Sequence, residues 1–142
     1  MTELEKFHQK FRIPAFTVRE YRHWVWSLRP VHSTLGAGVI SARRYAAHFS
    51  DMTAEECADL ATVVKEVESR LKSAFNYDKI NYLMLMMVDP HVHFHVVPRY
   101  ASQREFGGMT WTDDAWPKPP NSAVGHELTE AQAAAMKERI GR

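Results

Sequence analysis

From residue 91 to residue 97 the chain alternates strictly, His91-Val92-His93-Phe94-His95-Val96-Val97. A period of two is that of a β-strand, so His91, His93 and His95 line one face and Val92, Phe94 and Val96 the other. A different period precedes it. Leu60, Val63, Val64, Val67, Leu71, Ala74 and Phe75 follow the i, i+3, i+4, i+7 rhythm of a helix with one buried face. Thr53 with Glu56 three residues later gives that helix a capping-box start, and Asn76 and Asp78 mark the turn after it. Ile80 to Val88 is nearly continuously apolar and predicts a buried strand, with Met84, Met86 and Met87 as core filling. Asp89-Pro90 then turns the chain into the histidine strand, antiparallel to the one before, and Pro98 is expected to end it.

Upstream, the aromatic-rich run Tyr21 to Leu28 and the run Thr34 to Ser41, separated by Arg29-Pro30, predict a β-hairpin. Gly36 and Gly38 within the second run mark either a bulge or a close approach of a ligand or another backbone. A second capping box, Thr129 to Gln132, opens a modest, partly exposed helix reaching about Ile140.

Length and charge narrow the picture. The 142 residues suit one domain, which typically buries roughly 70% of the surface that its unfolded chain exposes. A net charge of +1 provides no broad attraction to nucleic acid or anionic membrane, so phosphate recognition has to be local. Met1 to Arg12 is charged and lacks the apolar core of a signal peptide, and no run of about 18 apolar residues occurs. The expectation is a cytoplasmic protein, with the single Cys57 a buried thiol within the helix.

Three imidazoles on one strand face allow three chemistries. A zinc site is a poor fit to the row alone, because its outer members lie roughly 13–14 Å apart at Cα while zinc–nitrogen bonds are near 2.0–2.1 Å. It would need His32 or His126 as well. Nucleophilic attack on phosphorus suits the row better: the middle histidine attacks with one nitrogen while the other is held protonated, and its neighbours contact phosphate oxygens or protonate the leaving group. The third possibility is three surface histidines on the solvent face of an edge strand.

The segment His91 to Val97 resembles the signature of the histidine triad (HIT) family, in which three histidines alternate with apolar residues, and Pro98-Arg99 is similar to its dinucleoside polyphosphate hydrolase branch. The order of hairpin, long helix, strand with an asparagine and triad strand extends the resemblance over residues 20 to 100. The resemblance implies an α+β fold with an antiparallel sheet of about five strands, a long helix packed on it and a C-terminal helix. It implies one HIT-like domain over 1–142, with 101–142 as loop and C-terminal helix, usually assembled as a homodimer. It also implies a nucleotide substrate, cleaved at the α-phosphate through a nucleotidyl-histidine intermediate. His93 would be the nucleophile, His95 would contact the α-phosphate and His91 would support the site through hydrogen bonds. Asn81 would contact the ribose or phosphate region, although its interval to the triad is one residue shorter than in well-known branches. No cofactor is required by that mechanism, though a divalent metal can accompany the nucleotide.

Three departures stand against the family pattern. Met86-Met87-Val88-Asp89-Pro90 occupies the place of a phosphate-cradling Gly-Gln-Ser/Thr segment. Leu35-Gly36-Ala37 replaces a Pro-Gly-His that supplies a fourth histidine, a role left open to His32. Finally, the Gly-, Trp- and Pro-rich stretch from Phe106 to Pro120 is either a flap that stacks Trp111 or Trp116 on a base, or a surface loop packed on the sheet or at a dimer interface. Arg99 and Arg104 are candidate phosphate partners by charge and proximity.

Overall fold

The computed structural model describes residues 1–142. Its elements run α1 (Glu3–Lys10), β1 (Thr17–Glu20), β2 (Trp24–Leu28), β3 (Val31–His32), β4 (Gly38–Ala42), α2 (Ala54–Phe75), β5 (Lys79–Leu83), β6 (His93–Arg99), β7 (Arg104–Phe106), β8 (Met109–Trp111), β9 (His126–Glu127) and α3 (Glu130–Gly141). The fold is α+β, built on a five-stranded antiparallel sheet ordered β1-β2-β4-β6-β5.

Register assigns the two faces of that sheet. Ser41 pairs with His93 and Val39 with His95, while Ile40 pairs with Phe94. Partners directly opposite share a face, so Trp24, Trp26, Leu28, Ile40 and Val96 turn together into the main core. Against them pack Val63, Val67, Leu71, Ala74 and Phe75 of α2 and Ala133, Met136 and Ile140 of α3. Thr53 caps α2 in a reciprocal box with Glu56, and Asn76 ends it in the left-handed conformation (φ 49°).

The opposite face carries the histidines, and α1 lies on it. Phe7 and Phe11 form a small second cluster with Val39. Sequence periodicity gave no reason to expect this helix, yet Thr2-Glu3-Leu4-Glu5 has the same capping-box form as the other two, and both of its reciprocal bonds are made. The predicted hairpin is present as β2 and β4. A Cβ on Gly38 would sit 2.7 Å from the Ser27 carbonyl oxygen, so strand proximity explains that glycine, while Gly36 turns the chain at φ 85°.

Several expectations need correction. The strand after α2 stops at Leu83, and Met84 to Pro90 forms a loop in which Leu85, Met87 and Val88 are exposed. Only Met84 and Met86 pack against the core. An apolar run without periodicity does not report where its strand ends. Pro98 does not terminate β6 but lies within it, paired with Ile80. The β4 ladder ends earlier, at Gly38 with Val96, so Pro98 has a strand on one side only and its missing N–H is tolerated. Cys57 is exposed, on the outer side of α2. No helix is long and apolar enough to cross a membrane.

Candidate active site

The first residue of the histidine row fastens the site together. The Ala46 amide donates to His91 Nδ1 (3.3 Å), so the proton resides on Nε2, which donates to the Ala42 carbonyl oxygen (2.7 Å). Both ring nitrogens thereby tie the segment after β4 to the start of the triad strand. Two backbone bonds reinforce the tie, Ala42 N–H to the Val92 carbonyl oxygen (3.1 Å) and Val92 N–H to that of Ala46 (2.8 Å). Tyr45 stacks on the His91 ring from outside, with centroids 5.6 Å apart.

His93 is held differently. Its Nδ1–H donates to the His91 carbonyl oxygen at 2.5 Å, which leaves Nε2 with a lone pair and no protein partner. His95 follows at 4.9 Å between ring centroids, nearly perpendicular, and its Nδ1 is buried without a partner. The two line one cavity of about 320 Å³ with Lys10, Phe11, Arg29, Leu85, Asp89 and Ser122 among its other walls.

The helix α1 roofs the row. The Phe7 ring lies 5.0 Å from those of both His91 and His93, and Phe11 lies 5.9 Å from His93 and 6.0 Å from His95. Lys10 Nζ fastens its end to Asp89 at 2.7 and 2.9 Å. This apolar roof accounts for the acid–base state beneath it. Burial pulls His91 and His93 below the ordinary imidazole value and pushes His95 down to about 4, where the Arg29 guanidinium and His93 add to the effect. Neutral imidazoles are the result, with the free lone pair on His93 Nε2.

The remaining candidates fall elsewhere. Arg99 shares the histidine face two positions beyond Val97, yet it is fully engaged: Nε and Nη2 grip the Asp113 carboxylate (2.6 and 3.1 Å), Nη1 donates to Asn81 Oδ1 (2.9 Å) and Nη2 to the Lys118 carbonyl oxygen (2.7 Å). Asn81 and Arg99 therefore form a cluster with the loop after β8, separate from the cavity. Arg104 donates to the Phe75 and Asn76 carbonyl oxygens at the end of α2. His32 accepts from the Gly36 amide (2.8 Å), lies fully buried and is pushed down to about 3 by that burial, so it braces a turn outside the cavity.

The Gly- and Trp-rich stretch packs on the molecule. Gly107 and Gly108, both at positive φ, make the two-residue turn between β7 and β8, and Trp111 is buried with Nε1 donating to the His32 carbonyl oxygen (2.9 Å). Trp116 lies beside Arg99, 6.0 Å from its guanidinium carbon. No group of three or more His, Cys, Asp or Glu side chains is arranged to hold a metal ion. Sequence reasoning missed Arg29, Lys10, Phe7 and Phe11. The capping box at Thr2 was a usable signal for the helix that carries three of them, whereas nothing local pointed to Arg29.

Comparison with known proteins agrees with this geometry. Residues 36–102 match the HIT domain family model. The nitrilase and fragile histidine triad fusion protein NitFhit of Caenorhabditis elegans is 32% identical over 106 residues, covering 69% of this chain and 23% of that protein. The chain thus spans about a quarter of that relative's length. An adenosine 5'-monophosphoramidase of Schizosaccharomyces pombe is 28% identical over 98 residues, covering 66% of this chain and 71% of that one. The crystal structure of a histidine triad protein from Sinorhizobium meliloti superposes with a TM-score of 0.73 at 18% identity, over 96% of this chain and 92% of that one. With His93 and His95 on β6 of the five-stranded sheet and the family model matching this segment, residues 36–102 form a histidine triad (HIT) domain.

Proposed function

We propose that this protein is a nucleotide hydrolase that cleaves a phosphoanhydride or phosphoramidate bond at the α-phosphorus through a nucleotidyl-His93 intermediate. The observation that carries the reading is the His93 ring: Nδ1–H is fixed by the His91 carbonyl oxygen, and the free Nε2 belongs to a side chain lining the cavity. In the first step Nε2 attacks phosphorus, the bond to the leaving group breaks, and its electron pair departs with that group. In the second, water attacks phosphorus, the phosphorus–nitrogen bond breaks and the electron pair returns to Nε2. His95 contacts the α-phosphate and supplies the hydrogen-bonding edge for phosphate oxygens or the leaving group. His91 acts through its carbonyl and through its anchorage at Ala42 and Ala46.

The substrate suggested most concretely is a diadenosine-polyphosphate-like compound or a nucleoside phosphoramidate, in keeping with the two relatives named above. A divalent ion can accompany such a nucleotide, and a homodimer in the cytoplasm is the assembly and setting that accord with the family reading. Hydrolysis of a panel of adenosine and guanosine phosphoramidates and dinucleoside polyphosphates tests it. Wild type should release nucleoside monophosphate from at least one member and His93→Ala from none; undiminished turnover by His93→Ala defeats the assignment.

One observation favours a second reading. Exposed Met87 and Val88 stand where a polar phosphate cradle is usual, which suits a protein that binds nucleotides with little turnover. Micromolar affinity without product from any panel member would select it.

A further inference from the structure

Arg29 is the exception among the arginines of this chain. Arg12, Arg19, Arg44, Arg70, Arg99, Arg104 and Arg142 each have a carboxylate oxygen within 4.0 Å. Of the four without one, Arg22, Arg43 and Arg139 are exposed. Arg29 alone is half-buried, and its Nε is sealed from solvent with no hydrogen-bond partner. An unmet donor on a largely buried cation is costly and calls for an explanation, and a bound anion would supply the missing acceptor.

Its placement is built by the fold. Arg29 follows the last residue of β2; its amide donates to the Ala37 carbonyl oxygen (3.1 Å), and its own carbonyl oxygen lies 3.4 Å from His32 Nδ1. The side chain is steered from beyond by Nη1 donating to the Ser122 carbonyl oxygen (2.7 Å). It thereby lines the same cavity as His93 and His95, and His95 carries another buried polar atom without a partner, Nδ1. Lys10, the other cation of the cavity, is already neutralised by Asp89.

We propose that Arg29 is the anion anchor of this cavity, its unpaired guanidinium edge holding the non-bridging oxygens of a phosphate or pyrophosphate group beside His93 and His95. It takes over the work of the Gly-Gln-Ser/Thr cradle whose place Met86 to Val88 occupy, with a charged side chain arriving from the opposite side of the sheet order, off β2, instead of backbone and hydroxyl donors. Guanidinium geometry fits the task, since its planar fork meets two oxygens of one phosphate. The proposal rests on reading the cavity as a nucleotide site, and the test separates the two.

Calorimetric titration of wild type, Arg29→Gln and Arg29→Lys with AMP, inorganic pyrophosphate and adenosine decides it. Arg29→Gln should weaken AMP and pyrophosphate about ten- to a hundredfold, as expected for a charge-assisted bond, and leave adenosine affinity and the melting temperature unchanged. Arg29→Lys, which keeps the charge without the fork, should fall between. Equal phosphate affinity in Arg29→Gln overturns the anchor, as does a parallel loss of adenosine, which would show a collapsed pocket. If wild type takes up pyrophosphate in an Arg29-dependent way but neither AMP nor adenosine, the nucleotide reading fails and the anchor stands. No binding of any probe to wild type overturns both.

Discussion

The histidine face of the sheet has two ends that bury similar groups to opposite effect. At one end Arg99 is gripped along its Nε–Nη2 edge by Asp113, with Asn81 and the Lys118 carbonyl oxygen accepting from Nη1 and Nη2. At the other, Arg29 Nε and His95 Nδ1 are equally hidden and have no partner. Burial is common to both, so burial does not distinguish a site from scaffold. What sets the second end apart is unmet hydrogen-bonding capacity in side chains that line one cavity with His93.

The sharpest way to break the contrast is to remove one residue from each end. His93→Ala should lower turnover by about a thousandfold or more, an effect far larger than the stability lost by emptying a buried position. Arg99→Ala should do the converse, destabilising the fold by roughly 3–5 kcal/mol because the Asp113 carboxylate is left buried and unpaired. Nucleotide turnover and thermal melting of both variants check this; a large specific loss of nucleotide affinity in a well-folded Arg99→Ala would return that residue to the site.

Acidity probes the unpartnered end alone. The folded pKa of His95 is about 4 against an ordinary 6.5, so the unfolded chain takes up the proton first as the pH falls. The stability associated with neutral His95 is therefore complete above about pH 6.5, declines toward about pH 4 and levels off below it, with His91 and His93 contributing in the same sense. Melting temperatures across this range should fall on acidification in wild type and fall less in His95→Gln. The smallest effect belongs to the half-exposed Lys10–Asp89 pair. Lys10→Ala should cost less than about 1 kcal/mol by urea unfolding, and a larger loss would make that pair a structural latch for α1.

What was legible beforehand follows from range. The capping boxes at Thr53 and Thr129, the apolar face of α2 and the alternation at residues 91–97 are local patterns, and each produced its element, although the strand begins at His93 and leaves His91 and Val92 just before it. Partnerships across the fold were not legible. Arg99 invited assignment to phosphate by proximity in sequence, because nothing local announces Asp113 fourteen residues on. Arg29 invited nothing, since its relation to His93 and His95 exists only after β2, β4 and β6 pair. The loop from Met84 to Pro90 misled for another reason: Leu85, Met87 and Val88 are exposed beside the cavity, where composition resembles that of a buried strand.

The central claim is that His93 Nε2 bonds to phosphorus. Mass spectrometry of protein mixed briefly with a reactive nucleotide substrate and quenched should show one added nucleotidyl group, mapped to the peptide containing His93 and lost in His93→Ala. An adduct that persists in His93→Ala, or turnover in wild type with no adduct on any timescale that precedes product, would contradict it.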